Sequence, residues 1–361
     1  MLPLALIAMT TLVTVRENTL YVGTYTDPNG SKGIYRVRLN QETGALSQSE
    51  LVGEATAPSY LCVRPEGKFL YAVNEYSKGE VTAFAIGKEG LRKLNTITFD
   101  GNGPCHISVD PSGKCLFVSA YGGGTLTVLP IKADGSVGAV TDRFKNSGSG
   151  PNKGRQEGPH LHFADLVGKH LYGCDLGTDE LLRFDFDVRS GDLKRALPSA
   201  RTEPGAGPRH FVGSRDGKWL YTTNEMTMAV AAFKRDTKDG SLKLFQTLST
   251  IGERKQAEGW STAAIKLHPK LPILYVSNRG SNSISVFEVT LGGTLRLLSV
   301  FGVDVSEPRD FSVDPSGRWM VVAGQRSGGI QTLGIDPTSG LLVKTPYKSQ
   351  ISKPVCVVFA P

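Results

Sequence analysis

The chain lacks the marks of several protein classes. No apolar run reaches the ~18 residues of a spanning helix, so no membrane partner is expected. No Lys/Arg run of about five to eight residues occurs, and the charge balance is only 41 − 34 = +7. Nucleic acid is therefore not expected either, whereas a small anion suits a mild basic excess. None of the five cysteines (Cys62, Cys105, Cys115, Cys174, Cys356) forms a Cys-x-x-Cys pair, which argues against a zinc ribbon or a redox couple. Their odd count favours a reducing compartment and a cytoplasmic protein. Gly-x-Ser-x-Gly, a Walker loop and EF-hand spacing are all missing.

Turn residues, by contrast, are abundant. The 361 residues include 42 Gly and 20 Pro, with 39 % hydrophobic residues to build a core. That composition suits many short strands. The first segment stands apart. Leu2 to Val15 is almost wholly apolar, but no Lys or Arg precedes Arg16 and no Ala-x-Ala follows. It reads as a signal remnant, which would mean export, or as an extra strand. Residues 1–17 are thus set aside as an N-terminal extension, and 18–361 form one domain.

Within that domain one phrase recurs. Pro58, Pro104, Pro159, Pro208 and Pro308 each precede a Leu-Tyr-Val-like strand by 12 residues, at Leu70, Leu116, Leu171, Leu220 and Met320. Another copy runs from Ser261 to Leu274. The ends supply the missing halves of a seventh: Leu20–Tyr25 is a second strand without a first, and Pro354–Pro361 a first without a second. Each copy continues with two more apolar runs separated by a Gly turn. Four antiparallel strands per ~50 residues, seven times over, predict an all-β, seven-bladed β-propeller. The split repeat excludes an open solenoid, which would need polar caps. The C-terminal strand is expected to close the ring by joining the N-terminal blade, hiding both sheet edges. Three Trp cannot serve seven WD repeats.

Counting outward from each hairpin turn locates a polar rim. Arg209 lies eight residues before Gly217 and Glu225 eight after, so pairing brings them to one end. The corresponding ends of other repeats carry Glu75, His106, Tyr121, His160, His162, Arg279, Arg309 and Gln325. Innermost strands would place these groups around one mouth of the central channel, a good anion-binding cleft. Alternation along the strand predicts that His210 points away from Arg209. His160-x-His162 is a potential metal pair without an evident third ligand, so no metal or other cofactor is expected.

The segments Gly23-Thr-Tyr-Thr, Gly103-Pro-Cys-His106, Gln156-Glu-Gly-Pro-His-x-His162, Gly205-Ala-Gly-Pro-Arg-His210, Asn224-Glu225, Ser277-Asn-Arg279 and Pro308-Arg-Asp310 resemble the bacterial propeller-type 6-phosphogluconolactonases, a family that includes fungal 3-carboxymuconate lactonising enzymes. The resemblance spans residues 18 to 361. It implies a metal-free hydrolase of carboxylic esters acting on a small anionic sugar lactone, as in the pentose phosphate pathway of glucose metabolism. It places a catalytic set on His160 or His162, Arg209, Glu225 and Arg279. In that expectation His160 or His162 is the general base, assisted by Glu225, and Arg209 stabilises the carbonyl oxygen. Arg279 and Arg309 hold the substrate's anion, with His106, Glu75 and Gln325 completing the binding surface. A cycloisomerase using the same groups on a carboxymuconate, and a non-enzymatic propeller binding a protein, are the alternatives. The expected assembly state is a monomer.

Overall fold

The computed structural model describes residues 16–361, leaving out the side chains of 197–199. The apolar segment 1–15 therefore lies outside the described residues. All regular elements among the described residues are strands, arranged as seven four-stranded antiparallel sheets. Blade 1 is the split repeat. Glu17–Thr24 pairs on one side with Gly33–Asn40 and on the other with Pro354–Phe359, with Leu20 opposite Phe359 and Gly23 opposite Cys356. The chain thus closes its own ring as the repeat pattern predicts. The innermost strands of blades 2 to 7 are Leu61–Val63, Pro104–Val109, Leu161–Val167, Pro208–Gly213, Ser261–Leu267 and Pro308–Val313.

The apolar residues form seven core clusters, one at each interface between neighbouring blades. Between blades 6 and 7, Tyr275, Ile284 and Val286 pack against Phe311, Met320 and Leu333. Between blades 7 and 1, Val321, Ala323 and Ile330 meet Leu20, Val22 and Val357, so closure buries the same kind of wedge as every other interface. Strands sandwiched on both faces explain why the second strands read as continuous apolar runs rather than as alternating ones.

A side-chain latch recurs across these wedges. The tyrosine of a Leu-Tyr strand donates from its hydroxyl to the carbonyl of the turn glycine in the next blade. The pairs are Tyr71 to Gly135 (3.0 Å), Tyr172 to Gly240 (2.6 Å), Tyr221 to Gly293 (3.0 Å) and Tyr275 to Gly340 (2.7 Å). The glycine is required at these turns: Gly293 has φ +77°, and a Cβ there would lie 2.3 Å from Trp219. Tyr275→Phe removes one latch and leaves a buried carbonyl unpaired. It is expected to cost about 1–2 kcal/mol in urea denaturation while leaving turnover per folded molecule unchanged.

Candidate active site

The innermost strands are irregular at the end that forms the mouth. In six of the seven blades an extra residue interrupts the register near the strand's start. In blade 3 Pro104 faces Ala120 and His106 faces Ser119, leaving Cys105 over. His162 is the extra residue in blade 4 and Arg309 in blade 7. In blade 5 Arg209 and His210 together oppose Thr223, and in blade 6 Ala263 and Ala264 oppose Ser277. Val355 is the extra residue in blade 1. Such bulges bend a strand and re-aim its side chains. Proline at the preceding position (Pro104, Pro208, Pro308, Pro354) fits, because a strand's first residue can spare an N–H.

The strand registers correct two expectations. His210 does not point away from Arg209: its Nε2 lies 3.0 Å from Arg209 Nη1, because the extra residue cancels the alternation. The Pro159 repeat is also offset. The blade 4 hairpin turns tightly between Val167 and His170, so Leu161, not Pro159, takes the place of Pro208. His162 is therefore the counterpart of Arg209 and Arg309, while His160 sits outside the strand.

Glu225 is the centre of the site. It follows the second strand of blade 5, Trp219–Asn224, and its N–H donates to the Gly207 carbonyl at 2.7 Å. Three guanidinium groups converge on its carboxylate: Arg155 at 2.6 Å on Oε1, with Arg209 at 2.9 Å and Arg279 at 3.0 Å on Oε2. Burial pushes the Glu225 carboxyl up, but Arg279, Arg209, His162 and Arg155 together outweigh it and hold the group well below the usual carboxylate range. Burial, then Arg309 and Arg279, push Arg209 down to about 10. Arg279 also donates to the Thr262 carbonyl at 3.0 Å.

Arg309 occupies the opposite side of the mouth. Its guanidinium carbon lies 5.5 Å from the centre of the Tyr25 ring, and Tyr25 donates to Glu75, 3.0 Å from each carboxylate oxygen. Burial disfavours its charge, but Tyr25, Glu75 and Glu225 more than compensate and raise its pKa. Among the described residues Arg309 forms no ion pair. Gln325 is half-buried beside this half of the site, its N–H bonded to the Glu307 carbonyl at 3.0 Å.

The histidines divide by position. His162 is 5 % exposed, and its Nδ1 is buried without a hydrogen-bond partner. Its pKa is driven well below the ordinary value, first by burial and then by Arg209, with Glu225 opposing. His160 stacks on Tyr121 (4.2 Å between centroids, 11° between planes) and has both ring nitrogens engaged. Nδ1 is 3.0 Å from the Tyr121 carbonyl and Nε2 is 3.1 Å from Glu157. His106 lies further along the channel, 4.4 Å from the Tyr60 ring and 3.9 Å from Phe163, and is 2 % exposed. It belongs to an aromatic plug with His210 rather than to an open binding surface.

Two participants escape the strand-end count. Arg155 comes from the long connection before blade 4, and Tyr25 lies one residue past its strand. A shared Gly-Thr-Tyr segment offered a signal for Tyr25; nothing local marks Arg155. A separate cleft of about 560 Å³ between blades 1 and 2, lined by Thr26, Asp27, Lys32, Asn74 and Glu80, contains no histidine or arginine. The mouth is the better-equipped site. Among the described residues no three His, Cys, Asp or Glu are arranged to hold a metal, and no helix is long and apolar enough to cross a membrane.

Comparison with known proteins agrees with this fold. The family described as "Lactonase, 7-bladed beta-propeller" matches residues 19–359. The chain is 32 % identical to the 6-phosphogluconolactonase of Bacillus subtilis, over 94 % of this chain and 97 % of that one. It is likewise 32 % identical to the 6-phosphogluconolactonase of Formosa agariphila, over 91 % and 96 %. The periplasmic gluconolactonase PpgL of Pseudomonas aeruginosa superimposes with a TM-score of 0.87 at 28 % identity, covering 96 % of this chain and 99 % of that one. By its repeats, its closed ring and these matches, the chain belongs to the seven-bladed β-propeller lactonases.

Proposed function

We propose that the protein hydrolyses a sugar δ-lactone, with 6-phosphoglucono-δ-lactone as the favoured substrate. The observation that carries this reading is His162: a buried imidazole with a free Nδ1, whose electrostatic neighbours are Arg209, Glu225 and Arg309. The neutral ring accepts a proton from water as the water oxygen attacks the lactone carbonyl carbon. The carbonyl oxygen becomes an oxyanion, and the ring C–O bond then breaks. The imidazolium returns its proton to the leaving oxygen, and the new carboxylic acid ionises to water.

Burial and positive neighbours make a charged His162 costly, so it acts as a base that gives its proton back. Arg309 is assigned to the oxyanion because, among the described residues, it makes no direct ion pair with a carboxylate. Arg209 and Arg279 are held against Glu225, so we assign the three together to shaping the wall beside His162. This differs from the division read from sequence, where Arg209 met the carbonyl oxygen and Arg279 the substrate's anion. We place the activity in the cytoplasm on the odd number of cysteines, all buried free thiols.

The test is hydrolysis of freshly generated 6-phosphoglucono-δ-lactone, coupled to 6-phosphogluconate dehydrogenase and corrected for spontaneous opening. A rate well above background that collapses in Arg309→Ala supports the reading. No excess rate on this or any other sugar lactone overturns it. The pH profile supplies an independent check. The base works unprotonated, and its pKa lies below the usual 6.5. Activity is therefore expected to hold from about pH 8 down to about 6.5 and to fall only as pH drops through the lowered pKa. An acid limb centred above 6.5 would point away from a buried imidazole.

A further inference from the structure

We propose that Arg155 is the specificity arm of this site, which reads an anionic group on the lactone, a phosphate ester in the favoured substrate. The proposal rests on the lactonase reading above. Its first support is the unequal sharing of Glu225. Arg209 and Arg279 both meet Oε2 and are buried, with side chains 3 % and 12 % exposed. Arg155 alone meets Oε1 and is 44 % exposed. Two buried guanidinium groups already neutralise one carboxylate, so Arg155 can turn to another anion without leaving Glu225 bare. With Arg155 included, the cluster carries three positive charges against one negative.

The second support is how firmly its backbone is held. Gln156 is fully buried. Its Nε2 donates to the Leu176 carbonyl at 2.9 Å and to Asp179 Oδ1 at 2.8 Å. Its Oε1 accepts from the Asn152 N–H at 3.2 Å, and the Asn152 carbonyl accepts from the N–H groups of Arg155 (3.1 Å) and Gln156 (2.7 Å). Asp179 in turn accepts from Gly205 and Gly207, next to Arg209. The connection is thus tied to the same blade junction that carries Arg209 and Glu225. Only the Arg155 side chain has to be ordered when an anion arrives, which keeps the cost of recognition low.

Depth completes the argument. His162 is deep in the mouth and Arg155 is at its rim, where Nη2 also lies 3.4 Å from the Tyr121 hydroxyl. A lactone whose carbonyl faces His162 leaves its distal substituent at the rim. A phosphate there stays partly hydrated and meets a planar, forked donor. Relatives named for a phosphorylated and for an unphosphorylated gluconolactone share this fold, so discrimination by one rim residue is a question the family poses.

The experiment compares the wild type, Arg155→Ala and Arg155→Lys on 6-phosphoglucono-δ-lactone and on glucono-δ-lactone. Arg155→Ala is expected to lose roughly ten- to a hundredfold in kcat/KM on the phosphorylated lactone, mostly through KM. Its loss on the neutral lactone is expected to be at least tenfold smaller, with partial rescue by Lys. Equal losses on both lactones overturn the proposal, because Arg155 would then only support Glu225. No loss on the phosphorylated lactone overturns it too. Titration calorimetry of each variant with 6-phosphogluconate and gluconate reads the same preference without turnover. If the wild type hydrolyses neither lactone, the lactonase reading falls, and the calorimetry still decides the arm: a phosphate preference lost in Arg155→Ala supports it, and no preference refutes it.

Discussion

Glu225→Gln is expected to destabilise the protein by about 3–5 kcal/mol and to lower the lactonase rate by roughly a thousandfold. The size follows from what the carboxylate holds. Arg209 and Arg279 are both buried and both take their ion pair from Oε2. Without the negative charge they face each other, and Arg309, uncompensated. Arg209 already has its charge disfavoured by burial and by those two neighbours. Removing one member of a buried pair costs far more than the intact pair contributes. The rate falls for a linked reason: once the arginines splay apart, the wall beside His162 is lost.

Urea denaturation and the coupled assay measure the two effects. Arg155→Ala serves as the control for the stability effect alone, since it removes an exposed partner of the same carboxylate and should cost less than about 1 kcal/mol. A Glu225→Gln protein of near wild-type stability would mean that the buried arginines find other compensation. The expectation also assigns Glu225 its role. Both carboxylate oxygens are taken by guanidinium groups, Oε1 by Arg155 and Oε2 by Arg209 and Arg279, so Glu225 positions and neutralises rather than serving as the base.

The fold was legible because each repeat carries its own punctuation. Leu-Tyr-like strands and glycine turns recur about every 50 residues, and the half-repeats at Leu20 and Pro354 give closure outright. The mouth was legible to the level of strand ends, since antiparallel pairing brings Arg209 and Glu225 together whatever the local detail. Side-chain direction was not. A rule of period two cannot see an extra residue, and six inner strands contain one near their start. Hence simple alternation puts His210 on the wrong side, and the strand-end count places His106 on the binding surface although it lies between Tyr60 and Phe163. Arg155 was invisible for another reason. Its connection is irregular, and its place depends on Gln156 reaching Asp179 and Leu176 in a strand–turn region that follows it in sequence.

The choice between His160 and His162 gives the second large effect. His162→Gln is expected to lower kcat by about 10²–10⁴ with a folded protein and little change in KM, the usual loss when a general base is removed. His160→Gln is expected to cost less than about tenfold. The difference rests on where the bulge falls in blade 4. It puts His162 at the position held by Arg209 and Arg309 in blades 5 and 7, with Nδ1 buried and without a hydrogen-bond partner. His160 stands before the strand, and its nitrogens are both spent, one on the Tyr121 carbonyl and one on Glu157. Its face is spent as well, on the Tyr121 ring. That arrangement fits a residue that fixes Tyr121 at the rim, near Arg155. Single-turnover rates separate the two variants, with near-ultraviolet circular dichroism to confirm packing. The reverse order, His160→Gln crippling and His162→Gln mild, would move the base to the rim and make Glu157 its orienting carboxylate. The chemistry would then occur at the level of Tyr121, and the buried imidazoles would be packing groups.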